Sequence, residues 1–346
     1  MKQLFFVAAG LLLLQSCNND DNETGAPLGS YDNGVLVLNE GGIGEITYIS
    51  NDLAWGQQDV FAAVNGQSQD LGMFAQSMFF DGDRAFIISN GSNKITVANR
   101  YSMEYIATIA TGLNIPRYGV AVGGKAYVTN SASFDNATDD FVAVIDLDDL
   151  SVESPIMVNT YAEKITAHNG KLYVAGGFYG VGDKITVINT ATQTVTGTIA
   201  TGQAPNSFEA ENNILYVLCS SYTAESKFVR IDLTSDTVID QVSFPSEMIN
   251  AANLDVDNGS IYFTFGSGIY KVAANTQVVT NAPIIDTQSD SFYIGYGFAV
   301  HNGRIYISEG AADFASDGKI FVYSTEGNLL KEISSGLGPN GFYFND

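Results

Sequence analysis

The sequence predicts an all-β protein, a seven-bladed β-propeller closed by its C-terminal strand, and three observations carry that prediction. The first is a repeating unit. Residues 162–202 read AEKITA, a turn at His168-Asn169-Gly170, KLYVAGG, a loop, KITVINT, a second turn and TVTGTIA. In each segment β-branched or aromatic residues alternate with small or polar ones, the period-2 pattern of a pleated surface. The second observation is recurrence. GVLVLN (from Gly34), RAFIIS (Arg84), KAYVTN (Lys125), KLYVAG (Lys171), ILYVLC (Ile214), SIYFTF (Ser260) and RIYISE (Arg304) are copies of one strand. The first step is 50 residues and the later ones 41, 46, 43, 46 and 44, near the ~40–45 residues of a four-stranded blade. The third observation lies at the ends. No innermost strand precedes Gly34, yet LGPNGFYFND from Leu337 runs past the last blade and matches LNIPRYGVAV (Leu113) and QAPNSFEAEN (Gln203). Pairing this segment with the first blade closes the ring and removes exposed sheet edges.

Taken in order, the chain opens on Lys2 and an apolar run from Leu4 to Leu14, too short to span a bilayer and typical of a signal peptide. It ends at Leu14-Gln15-Ser16-Cys17, similar to a lipoprotein signal-peptidase box except that Gln15 replaces a small residue. The expected organisation is a signal peptide over 1–16, a lipidated Cys17 with an acidic tether over 17–33, and the propeller over 34–346. An ordinary secretory signal with an incidental cysteine is the alternative. A lipid on Cys17 would attach the protein to a membrane without a transmembrane helix. NNDDNE after it resembles the acidic signal that sends some Gram-negative lipoproteins to the outer surface. With Cys17 lipidated, only Cys219 remains, so no intrachain disulfide forms. Cys219 ends the apolar segment LYVLC and is expected to be buried.

The third strand recurs in step with the second, as EITYIS, KITVAN, FVAVID, KITVIN, FVRIDL, GIYKVA and KIFVYS. His168 and His301 occupy matching turns where other blades carry Asp81-Gly82 or Gly123-Gly124, so the position asks for turn chemistry. Acidic residues outnumber basic ones 38 to 15, a formal charge of −23. Such a field disfavours nucleic acid and anionic headgroups as partners. No GxSxG, HExxH, CxxC or phosphate-cradling loop occurs. The expectation is a protein that is not an enzyme and carries no cofactor.

Equivalent positions at the starts of the innermost strands are Gln76, Arg117, Glu163, Asn206, Ala252, Tyr296 and Asn340. Only Glu163 is acidic, too few charged oxygens for a metal-dependent lactonase-like centre, although Glu209, Glu247 and Asp255 are near in sequence. The ring either contacts a ligand, or Arg117 and Glu163 pair while the amides hydrate the channel. Loops joining second to third strands (40–44, 90–93, 130–140, 176–183, 220–227, 266–268 and 309–318) should open on that same mouth. They carry Phe134, Phe178, Tyr179, Tyr222 and Phe314 among small and polar residues. Several rings on one rim make an amphipathic docking surface. The aspartates of NATDD and DFASDG suit solvated turns better than surface Ca²⁺ sites.

From Asn33 onward the pattern resembles the YncE-like, quinoprotein-type seven-bladed propellers. Residues 71–130 look more specifically like a subgroup of propeller surface lipoproteins, through Gln76-Ser77, Asn90/Ser92/Lys94 and Pro116-Arg117-Tyr118. Some members of that subgroup capture cobalamin outside the cell and pass it to a TonB-dependent outer-membrane transporter. The resemblance implies a lipid-anchored outer-membrane protein facing the cell exterior that binds cobalamin or another corrinoid. Its ligand-binding residues would be Gln76, Arg117, Asn206, Tyr296, Asn340 and the five loop aromatics. A protein-interaction scaffold using the same aromatics as hot spots, and a hydrolase using channel carboxylates, are the competing classes.

Overall fold

The computed structural model describes residues 28–133, 135–177 and 180–346. It contains seven four-stranded antiparallel sheets, one per blade. Blade 4 is the type: Ile165–His168 innermost, then Lys171–Ala175, Lys184–Asn189 and Thr194–Ala200 outermost. All seven predicted second strands are present, from Gly34–Asn39 to Arg304–Glu309. The strand Pro339–Asn345 runs antiparallel to Gly34–Asn39, with Gly34 opposite Asn345 and Leu38 opposite Gly341. The C-terminus therefore supplies the innermost strand of blade 1 and closes the ring.

The period-2 pattern has a specific use here. Alternate residues of one strand serve the two neighbouring blades. Leu36 and Leu38 pack with Ala85 and Ile87 of blade 2, whereas Val35 and Val37 pack with Tyr306, Ile320 and Val322 of blade 7. Both faces of the middle strands are covered, so they are buried along almost their whole length, as in KAYVTN. The core is accordingly divided among the seams between blades, each buried side chain contributing about 1.5–3 kcal/mol. Cys219 lies in one such seam, and burial pushes its thiol up to about 12.

A second set of contacts joins the blades near the axis, where a side chain of one blade bonds the innermost strand of the next or the residues leading into it. Asn340 Nδ2 donates to Ala75 O (2.8 Å), Ser77 Oγ to Arg117 O (2.6 Å) and Thr129 Oγ1 to Glu163 O (2.7 Å). Asn206 Nδ2 donates to Ala251 O (3.0 Å), Asn253 Nδ2 to Gly295 O (2.7 Å) and Ser308 Oγ to Pro339 O. These bonds satisfy carbonyls that an innermost strand, lacking a neighbour on its axial side, would otherwise leave open.

The structure departs from the sequence reading in three places. A short helix, Val60–Asn65, lies between blades 1 and 2 with Val60 and Phe61 buried, and it accounts for the long first repeat. The outer strand shrinks to two residues at Gly56–Gln57, Ile156–Met157 and Ile285–Asp286. The tether is expected over 17–33, but the chain is already docked on the propeller at Tyr31. Its ring is buried against Tyr48 and Trp55, its N–H donates to Tyr101 O (2.8 Å), and Asn345 Nδ2 donates to its carbonyl (2.9 Å). The signal peptide, Cys17 and most of the tether lie outside the described residues, as do Phe134, Phe178 and Tyr179. Among the described residues no helix is long and apolar enough to cross a membrane.

Candidate functional site at the channel mouth

Six innermost strands begin with a β-bulge, and the bulge selects the residues that reach the channel mouth. Ala75 pairs with Ser89 and Ser77 with Ile88, so Gln76 is skipped. Arg117 and Tyr118 are skipped between Pro116 and Gly119, Asn206 between Pro205 and Ser207, and Asn340 between Pro339 and Gly341. Tyr296 is skipped between Ile294 and Phe298, where Gly295 takes φ +73°, a region open to glycine. A bulged residue has no ladder partner and is re-aimed away from the sheet. In blade 6 the bulge falls on Asn253 and Leu254, while Ala252 pairs with Thr264. The ring position assigned to Ala252 from sequence spacing therefore belongs to Asn253.

A cavity of about 600 Å³ opens at this mouth. Gln76, Arg117, Tyr296 and Asn340 all line it, together with Glu40, Phe74, Asn90 and Tyr118. Its polar wall is one connected network. Arg117 Nε donates to both oxygens of Glu163 (2.9 and 3.2 Å), and Arg117 Nη1 donates to Gln76 Oε1 (2.6 Å). Asn90 Nδ2 donates to the same Oε1 (2.9 Å), and Gln76 Nε2 donates to the Tyr118 hydroxyl (3.2 Å). With only 11% of Arg117 and 9% of Glu163 exposed, this is a buried ion pair rather than a surface one. Burial raises the Glu163 carboxyl while the Arg117 charge holds it down. On the opposite wall the Tyr296 hydroxyl donates to Glu40.

The remaining predicted residues divide. Phe314 packs edge-on against Tyr296 (5.3 Å) and Tyr293 (4.8 Å), buttressing the cavity wall. Tyr222 is 59% exposed, on a loop beside Gly180. Asn206 does not line the cavity; its amide nitrogen is committed to Ser220 Oγ (2.6 Å) and Ala251 O (3.0 Å), which clasp blade 5 to blade 6. Asn340 likewise spends its amide nitrogen on the neighbouring backbone while its side chain walls the cavity. Both histidines serve turns: His168 Nε2 meets Asn213 Oδ1 (2.8 Å), and His301 stacks on Phe344 beside Asp346.

Sequence spacing passed over Phe74 and Tyr118 as cavity residues. Phe74 stands just before its strand with φ +55°, unusual for an aromatic residue. That conformation is held by the backbone bond from Asn90 N to Phe74 O (3.1 Å). Phe74 and its neighbour Met73 are exposed, and Phe292, edge-on to Tyr293 next to Tyr296, is 87% exposed. The channel is also more acidic below the mouth than the ring positions indicate. Glu209 and Asp255 share a hydrogen bond there, and burial pushes them up to about 8 and about 6. Among the described residues no group of three or more His, Cys, Asp or Glu side chains is placed to hold a metal ion.

Residues 33–345 match the model of one family, described as Domain of unknown function (DUF5074). No curated protein matches the chain. Among solved structures it is similar to a hypothetical selenium-binding protein from Sulfolobus tokodaii, with 9% identity and a TM-score of 0.63 over 88% of this chain and 91% of that one. It is also similar to Kuenenia stuttgartiensis hydrazine synthase (15%, TM-score 0.55, 75% and 86%). BamB from Moraxella catarrhalis is a third likeness (13%, TM-score 0.52, 87% and 82%). At these identities the likeness is one of fold, and propellers host many functions.

Proposed function

Since the chain belongs to the DUF5074 family, a domain of unknown function, we propose its role from the channel mouth: a binding protein that seats a large, amide-bearing ligand there. The observation that carries this reading is the convergence of Gln76, Arg117, Tyr296 and Asn340 with the exposed Phe74 on one cavity of about 600 Å³. Pockets of that size, apolar planes interrupted by a few oriented polar groups, are what drug-sized ligands use. A corrinoid is the best single candidate, through the resemblance of residues 71–130 to cobalamin-capturing surface lipoproteins. Being larger than the cavity, it would seat one edge there and lie across Met73, Phe74 and Phe292. The ligand would then pass to a TonB-dependent transporter, with the propeller held at the outer membrane by lipid on Cys17. Changing Cys17→Ala is expected to move the protein from the membrane fraction to the soluble one; an unchanged distribution refutes the anchor.

Titration calorimetry with cobalamin tests the binding. Tyr296→Ala is expected to weaken it by about 2 kcal/mol, roughly thirtyfold, as for a buried aromatic anchor. Tyr105, on the outer strand Tyr105–Ile109 of blade 2, is the control and should leave affinity unchanged on substitution by Ala. No heat with cobalamin or cobinamide, alongside co-purification of a membrane partner, would favour the scaffold reading instead.

A further inference from the structure

Deeper in the channel, innermost strands enclose a second cavity of about 420 Å³, walled among others by Ser77, Tyr118, Lys164, Glu209 and Tyr343. Tyr118 lines both cavities. Lys164 is the unusual member. Lys94, Lys125, Lys171 and Lys319 each hold a carboxylate. Lys164 Nζ makes no hydrogen bond and no ion pair with a described residue; it faces the Tyr118 ring, 5.5 Å from the ring centre.

The surrounding groups explain why no carboxylate claims it. Glu163 is occupied by Arg117. Glu209 and Asp255 bond each other and accept the backbone N–H groups of Val256 and Val300. Burial pushes the Lys164 amine down, and Glu163, Asp255 and Glu209 oppose that shift from a distance. A hydrogen bond between two carboxyl groups needs a proton, and burial together with the Asp255 charge raises Glu209 as its holder. The tyrosines add donors. The Tyr118 hydroxyl accepts from Gln76 Nε2, and the Tyr343 hydroxyl accepts from Met78 N–H (2.8 Å). Neither hydroxyl proton is given to a described acceptor, and burial raises both phenols, Tyr118 to about 12, so the protons stay in place. A half-buried amine that no carboxylate holds, sharing a cavity with a proton-bearing acid and the Tyr343 hydroxyl, is the arrangement that carbonyl condensation requires.

We propose that Lys164 is a nucleophilic amine and that this chamber condenses it with the carbonyl of a small uncharged aldehyde. The Nζ lone pair adds to the carbonyl carbon while the Tyr343 hydroxyl donates to the oxygen, and transfer of one amine proton to that oxygen gives a carbinolamine. The Glu209 proton then passes to the departing hydroxyl, the C–O bond breaks, and water leaves. The product is a protonated imine beside the Glu209 carboxylate, plus water, with no change of oxidation state. Apart from Tyr118 the chamber and the mouth cavity share no lining residue, so this chemistry rests on residues other than those proposed to seat the ligand above.

Reductive trapping tests the proposal. The protein is incubated at pH 7 with butanal and cyanoborohydride, and alkylation of each lysine is followed by peptide mass. Lys164 is expected to react on the order of tenfold faster than the exposed Lys319, whose amine Glu332 holds protonated. A Lys164 rate equal to or below that of Lys319 overturns the proposal. Both rates come from one wild-type sample, so this comparison does not require a variant to fold. Glu209→Gln, which keeps an acceptor for Val256 N–H, is expected to slow Lys164 on the order of tenfold and leave Lys319 unchanged. An unaltered Lys164 rate in a folded Glu209→Gln protein overturns the proton-transfer role.

Discussion

Deleting residues 337–346 is expected to abolish the cooperative melting transition. The strand Pro339–Asn345 is short, but it serves two seams at once. Phe342 packs with Val35, Val37, Tyr306 and Val322 on the blade 7 side, and Tyr343 packs with Leu36, Leu38 and Met78 on the blade 2 side. Asn345 bonds Arg100 twice, through Arg100 Nε (2.7 Å) and Arg100 O (2.7 Å), and the Arg100 guanidinium lies over Phe80. Without the strand, Gly34–Asn39 becomes an open edge, and Ala75 O and Met78 N lose their axial partners. Lost burial at about 1.5–3 kcal/mol per side chain, added to the unpaired backbone, approaches the 5–15 kcal/mol that stabilises an ordinary domain. Thermal denaturation followed by circular dichroism checks this. A truncated chain that melts with the sharpness and midpoint of the full protein would mean that the ring does not depend on its closing strand.

Glu163→Ala should have the next largest effect, about 3–5 kcal/mol of stability, because it leaves the Arg117 charge buried without its carboxylate. The same change frees Arg117 Nε, so the orientation of Gln76 and the polar wall of the mouth cavity are no longer held. Binding at the mouth should therefore fall together with stability. The double change Arg117→Met with Glu163→Leu separates the two effects. Replacing a buried ion pair by apolar residues of similar volume is often neutral for stability, so this protein should melt near the wild type yet bind poorly. Urea titrations of the two variants and calorimetry on the double variant decide the matter. A single variant as stable as the wild type would place the pair in water rather than in the core.

How much of the site was legible follows from what each residue has to do. Gln76, Arg117, Tyr296 and Asn340 stand at repeat-equivalent positions near strand starts, so spacing alone brought them to one mouth. Spacing failed at Ala252, because the ring residue is chosen by the bulge, and in blade 6 the bulge moves one residue on, to Asn253. Asn206 shares the Pro-Asn of Asn340 but faces Ala251 and Ser220 instead of the cavity. Both asparagines clasp the next blade through its backbone, Ala251 O and Ala75 O, but only Asn340 also walls the cavity.

By itself the sequence determined the number of blades, their strands and the closing of the ring. Each of these is written in local alternation and its repetition, and a strand has no second way to bury both faces of such a pattern. Only the tertiary structure decided where the polar groups spend their hydrogen bonds. Arg117 meets Glu163 across 46 residues, Tyr343 meets Met78 across 265, and Lys164 is passed over by the acids around it. Those choices turn on approaches of a few ångströms between blades, which burial makes energetically decisive and which no repeat period encodes.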